Sequence, residues 1–151
     1  MITIQEEKIT DKLLDEIEPL LEETAKETGD LNGEFKVNRL MYIRMSDIGV
    51  YAAITARDSK GSLVGYAGYT VSPHLYYQQY VMAMQDVIHV SKSHRKGFTG
   101  IRLFKESEKI LKDNHNVNLI IQNSTQKIDL SNLFYRLGYR DSDRMFLKEL
   151  I

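Results

Sequence analysis

The sequence predicts a single-domain α/β fold with a mixed central sheet flanked by helices. Three observations carry that reading. Strand-length apolar runs alternate with amphipathic helical stretches along the whole chain. A compact turn, Asp58-Ser59-Lys60-Gly61, joins two of the strand patterns as a hairpin. And 151 residues suffice to bury one core, with no repeat, low-complexity tract or linker to divide them, so one domain is expected over residues 1–151.

Taken in order, residues 6–28 read as a helix, with Leu13, Leu14, Ile17, Leu20, Leu21 and Ala25 on one stripe that Pro19 kinks or divides. Gly29 to Gly33 is a turn cluster, and Asn38 to Met45 a second, shorter helix. Gly49 to Arg57 and Ser62 to Ser72 are the hairpin strands, and Ala83 to Val90 is a third. A long helix is expected over about Thr99 to Asn114, a short buried strand over Asn118 to Gln122, and a helix over Asp129 to Leu137 stopped by Gly138. Arg144 to Leu150 is expected as the final strand.

Cysteine is absent, which excludes disulfides, thiolate nucleophiles and cysteine-based zinc sites. No apolar run approaches the roughly 20 residues that cross a bilayer, and the N-terminal stretch is acidic. A cytoplasmic location is therefore expected, in the host cell if a phage carries the gene. His74, His89, His94 and His115 form no metal-ligand spacing, so no metal is expected. Net charge is −1 but uneven: residues 1–35 carry eleven Asp/Glu against three Lys, and residues 92–112 carry seven Lys/Arg against two Glu. The acidic stretch reads as a solvated helix face. The basic one is too narrow for a nucleic-acid footprint and suits a small anion.

The strongest chemical signal lies in that basic stretch. A strand ending at Val90 runs through a turn, Ser91 to Gly100, straight into a helix. Strand, glycine turn and helix start in that order leave backbone N–H groups free to face phosphate, here those of Gly97, Phe98, Thr99, Gly100 and Ile101. Arg95 offers a planar fork and Lys96 a mobile charge.

With this segment the chain resembles the GNAT family of N-acetyltransferases, in which an Arg/Gln-x-x-Gly-x-Gly/Ala loop between a strand and a helix holds the pyrophosphate of acetyl-coenzyme A. Gly65, the His94 to Gly100 turn and Leu137-Gly138-Tyr139 carry the resemblance, and Ser72-Pro73-His74-Leu75-Tyr76-Tyr77 is similar to a segment of a phage-type subgroup. His94 stands where Arg or Gln is usual, and Thr99 falls on the second Gly/Ala position. The resemblance implies a GNAT-like acyl-CoA N-acyltransferase fold, acetyl-CoA as cosubstrate and an amine acceptor. It also implies an open sheet beside the loop, where backbone groups of Val87, Ile88 and Val90 bind the pantetheine arm and one N–H faces the thioester oxygen. Asn123 and Ser124 are expected to bind polar groups of the coenzyme, and Phe134 to pack on its arm or in the core.

Acetyl transfer needs a thioester held beside a neutral amine, and stabilisation of the charge that forms on the thioester oxygen. Four residues are candidates for the base. His74 sits among Tyr76, Tyr77 and Tyr80, and Glu34 lies on the segment that covers the acceptor in the resembled family. Asp86 and His89 stand in a strand otherwise poor in charge, where strict alternation puts Asp86, Ile88 and Val90 on one side and Val87 and His89 on the other. The family's Tyr-x-x-x-Gly-Phe acid position holds Phe134, with Tyr135 one residue later as candidate acid. A competing reading keeps the fold as a coenzyme A-binding or interaction protein without turnover. A homodimer is expected through the segment 76–80 and the outer face of the last strand.

Overall fold

The computed structural model describes residues 1–29 and 31–151, so Asp30 of the expected turn lies outside the described residues. The elements run β1 (Thr3–Glu7), α1 (Asp11–Thr28), α2 (Arg39–Asp47), β2 (Tyr51–Arg57), β3 (Leu63–Pro73), β4 (Val81–Val90), α3 (Thr99–His115), β5 (Leu119–Ile121) and α4 (Ser131–Arg136). Among the described residues the strands form one sheet in the order β1-β2-β3-β4-β5, antiparallel except for the β4–β5 pair.

Alternation along the strands separates two cores. Ala52, Ile54, Ala67, Tyr69 and Ala83 face Leu103 and Leu111 of α3. Tyr51, Ala53, Tyr66 and Val87 face Leu13, Leu14 and Ile17 of α1, with Tyr42, Ile43 and Met45 of α2 alongside. Helices thus cover both faces, and the expected mixed α/β architecture is the one observed.

Residues 6–10 do not begin a helix. Glu6 and Glu7 belong to β1, which pairs with β2, and α1 starts at Asp11, where the Thr10 hydroxyl accepts from the Leu13 N–H as N-cap. Pro19 lies within α1 without dividing it, because the stripe buried against the sheet continues past it. The expected final strand is absent: Arg144 to Leu150 has no regular structure, and Phe146 is 91% exposed. A strand needs a neighbour for its backbone bonds, and β5, three residues long, pairs only with β4.

Charged residues of the acidic N-terminal stretch fix the helices in place. Arg39, at the start of α2, donates to Asp11, Asp15 and Glu18 along one face of α1. Arg57, largely covered, donates to Glu7 of β1 and Glu16 of α1. The reading of this stretch as a merely solvated face is therefore corrected: several of its acids tie α1 to α2 and to the sheet.

Candidate active site

Gly68 pairs with Val87 and Tyr69 with Gln85, so Asp86 has no partner in the ladder and forms a β-bulge. The extra residue breaks the expected alternation. Asp86 turns to the α1 side, the side of Val87, while Ile88 and Val90 pack toward α3. There the hydroxyls of Tyr42 (2.7 Å) and Tyr51 (2.6 Å) both donate to Asp86 Oδ2. Oδ1 has no hydrogen-bond partner among the described residues.

The donors are themselves held. Tyr51 Oη lies 2.9 Å from Tyr66 Oη, and Tyr42 stands one turn beyond the Arg39 clamp. Burial, then the Asp86 charge, push the Tyr42 hydroxyl well above its ordinary range; burial, then Tyr66 and Asp86, do the same to Tyr51. Both stay protonated and act as donors. Gly68 makes the room, since a Cβ there would lie 1.9 Å from Tyr51 Oη.

Two cavities meet at this carboxylate, sharing Thr24, Asp86 and Val87. The first, about 610 Å³, lies between α1, α2 and β4. The second, about 1080 Å³, runs from Asp86 along β4 to the start of α3 and is walled on its far side by Asn123 to Ile128. Its shape follows from the short β5, which pairs only with Met82 to Met84, so that among the described residues the edge of β4 away from β3 has no strand beside it from Gln85 onward. The Val90 carbonyl points outward there, accepting from Arg95 Nε at 2.6 Å, and alternation aims the N–H and C=O of Ile88 the same way, into the cavity.

At the far end α3 begins without a side-chain cap. A Cβ at Gly97 or Gly100 would meet nothing within 4 Å, so the turn opens onto space at a helix N-terminus. This end fits the anionic head of a coenzyme, and the unpaired edge fits an amide-bearing arm. Arg95 is anchored rather than free, with Nη2 3.1 Å from both carboxylate oxygens of Glu27 on α1. Among the described residues no three His, Cys, Asp or Glu side chains gather as metal ligands.

His89 closes the α1 side. Its ring is buried, with Nε2 3.1 Å from Glu23 Oε2 and Nδ1 2.9 Å from Thr24 Oγ1. A neutral ring fits both by donating from Nε2 to Glu23, with Nδ1 and the Leu20 carbonyl sharing the one hydrogen of the Thr24 hydroxyl. Burial holds its pKa below the ordinary value; Glu23 and Glu27 pull upward and Arg95 downward. The unfolded chain then takes up the proton first as pH falls. His89 contributes stability in full above about pH 6.5, and loses it as pH drops toward the folded pKa. Thermal melts are expected to show a lower Tm at pH 5.5 than at 7.5, and a smaller difference in His89→Gln. Glu7, Asp58 and Asp129, whose pKa values are also lowered, begin to matter only below about pH 4.5.

No family model matches the chain, and no curated protein sequence matches it. Solved structures do. A possible acetyltransferase from Clostridium difficile is 18% identical with a TM-score of 0.78, covering 100% of this chain and 99% of its own. An aminoglycoside acetyltransferase from an uncultured soil metagenomic sample is 16% identical with a TM-score of 0.76, at the same coverage. The ribosomal-protein-alanine N-acetyltransferase from Brucella melitensis biovar Abortus is 14% identical with a TM-score of 0.74, covering 99% of each chain. The fold is that of the GNAT-like acetyltransferase superfamily. At such identities the likeness shows the fold alone.

Within the GNAT-like fold, the expected residues separate. Asp86, Val87, Ile88, Val90, Arg95, Gly97, Gly100, Ile101 and Asn123 all line the second cavity. Lys96 and Phe98 face solvent outside it, and Thr99 is buried and does not line it. The Ser91 N–H donates to the Val64 carbonyl and the Val90 carbonyl points outward, so alternation turns the backbone of Val87 toward β3 rather than the cavity. Phe134 packs edge-on against Phe104 (centroids 5.3 Å apart) in the core. Tyr135 lies outside both cavities and donates to Asp141 at 2.7 Å, so the one-residue offset does turn it away.

His74 sits in the β3–β4 loop with its ring against Tyr76 and Tyr77, and its Nδ1 accepts from the Tyr77 N–H at 3.2 Å. It reaches neither cavity. Glu34 is exposed beside Phe35, which does line the first cavity. Tyr42, Tyr51, Gly68 and Glu27 were not legible as site residues. Glu27 had a signal, lying with Thr24 and Thr28 at helical spacing off the apolar stripe of α1, and so did Gly68, a glycine inside a strand pattern.

Proposed function

We propose that the protein transfers an acetyl group from acetyl-coenzyme A to a primary amine by direct attack. One observation carries this reading: a carboxylate displaced from its strand stands where two cavities meet, with one oxygen fixed by two tyrosines and the other open. Asp86 Oδ1 receives a proton from the ammonium of the acceptor, directly or through one water, and passes it to solvent. The freed nitrogen pair forms the N–C bond as the C–S bond breaks, the nitrogen gives its remaining surplus proton to solvent by the same Asp86 route, and the departing thiolate takes one proton from solvent. The outward Ile88 N–H is the donor best placed for the thioester oxygen. The open turn at Gly97 and Gly100, the start of α3 and Arg95 hold the phosphates.

The test is thiol release with a panel of amines, together with calorimetry of coenzyme A. The chain has no cysteine, so the released thiol is measured without a protein background. Saturable coenzyme binding with amine-dependent thiol release is expected, and the absence of either overturns the reading. Arg95→Ala should weaken coenzyme binding by about 1–3 kcal/mol, the loss expected for a charge-assisted hydrogen bond. Glu27→Gln should tighten it, because it frees the Arg95 fork and removes a negative charge from the cavity wall.

A second reading, coenzyme binding without turnover, draws on the orientation of Tyr135, which leaves the leaving thiolate without that phenol. It predicts tight binding with no release across the panel. The reading of a phage-type subgroup rests on the Ser72 to Tyr77 segment alone.

A further inference from the structure

We infer that the acceptor is a monoamine whose body is apolar, such as an alkyl or arylalkyl amine, and not an amino sugar, a polyamine or a lysine-rich peptide. The inference rests on the acetyltransferase reading for the place of the amine, at Asp86 Oδ1, and adds what surrounds it. The first cavity, about 610 Å³, falls within the roughly 300–1,000 Å³ of small-ligand sites. Its walls are Leu21 of α1, Phe35 of the α1–α2 connection, and Met41 and Met45 of α2. Phe35 and Met41 are 44% and 50% exposed there, large apolar groups that protein covers only about half.

The lining carries two charged side chains, Asp86 at the floor and Lys36. One carboxylate satisfies one ammonium. A second cation on the acceptor would find no second carboxylate in the lining and would meet Lys36 instead. The polar side chains of the lining are already engaged: Thr24 with Leu20 and His89, Asn38 Oδ1 as the cap of α2, Tyr42 and Tyr51 with Asp86, and Thr70 with the Met84 carbonyl. The hydroxyls of a sugar would lose water against Leu21, Phe35, Met41 and Met45 with few partners to replace it. An alkyl or aryl body instead covers surface that is apolar and open, and the methionine side chains adapt to its shape.

The experiment measures binding of n-butylamine, n-hexylamine and n-octylamine by calorimetry without acetyl-CoA, then acetylation of the same series. Affinity and kcat/KM are each expected to rise about three- to fourfold per added methylene. 1,6-Diaminohexane, with the same carbon count as hexylamine and a second cation, should bind at least tenfold more weakly. Met41→Lys, at a half-exposed position, should fold like the parent chain and lower hexylamine affinity at least tenfold. A chain-length gradient in binding without turnover supports the pocket assignment and overturns the acetyltransferase reading. Acetylation of glucosamine or a lysine peptide with a flat alkylamine series overturns the pocket assignment and leaves that reading standing. A flat series with no turnover of any amine overturns both.

Discussion

Asp86→Asn is expected to bind coenzyme A like the parent chain and to lower kcat/KM for amine acetylation by about 10²–10⁴-fold. The amide matches the carboxylate in shape. Its oxygen still accepts from Tyr42 and Tyr51, so the bulge and both cavities should persist. What changes is the atom facing the amine, where an NH₂ donor replaces the open oxygen and neither holds an ammonium nor takes its proton. Coenzyme calorimetry and circular dichroism separate loss of chemistry from loss of fold. Turnover within a few-fold of the parent would move the base elsewhere, with His89 a remaining candidate that lines the second cavity.

Gly68→Ala should be nearly as damaging from one residue away on the neighbouring strand. The added carbon would lie 1.9 Å from Tyr51 Oη, 2.8 Å from its Cζ and 3.0 Å from Tyr66 Oη. Neither phenol can withdraw easily, because both rings are buried, Tyr51 at 3% exposure and Tyr66 at 1%. Overpacking of this kind costs about 1–3 kcal/mol. The strained outcome swings Tyr51 off Asp86 and leaves a buried hydroxyl without its acceptor, which adds to the loss. A lower Tm together with a fall in kcat is expected. Tyr51→Phe in the same chain should restore part of the stability, since it removes the oxygen of closest approach, but not the activity. An unchanged melt and unchanged kcat would show that the Tyr51–Asp86 bond does not matter.

Much of this fold was legible in the sequence because the physics is local there. The Asp58 to Gly61 turn, the amphipathic stretch of α3 and the glycine at position 138, which adopts a φ of +92°, each announce themselves within a few residues. Where the outcome depended on a distant neighbour, the reading failed. Thr3–Glu7 is a strand because β2 offers it an edge, and Arg144 to Leu150 is not one because β5 offers almost none. The site divides along the same line. Gly97 and Gly100 mark an open turn by themselves, and Asp86 stood out as an acid in an apolar strand. No local pattern could show that Tyr42, 44 residues away, reaches it, or that acids read as solvated would seat Arg39, Arg57 and Arg95.

The bulge also gives β4 two reading frames. Up to Gln85 the odd-numbered residues point toward α3; from Val87 onward the even-numbered ones do. Deleting position 86 would put the whole strand back in one frame and complete its ladder with β3, while removing the carboxylate from the junction of the two cavities. Selection for a more regular sheet and selection for this site therefore pull in opposite directions at a single codon.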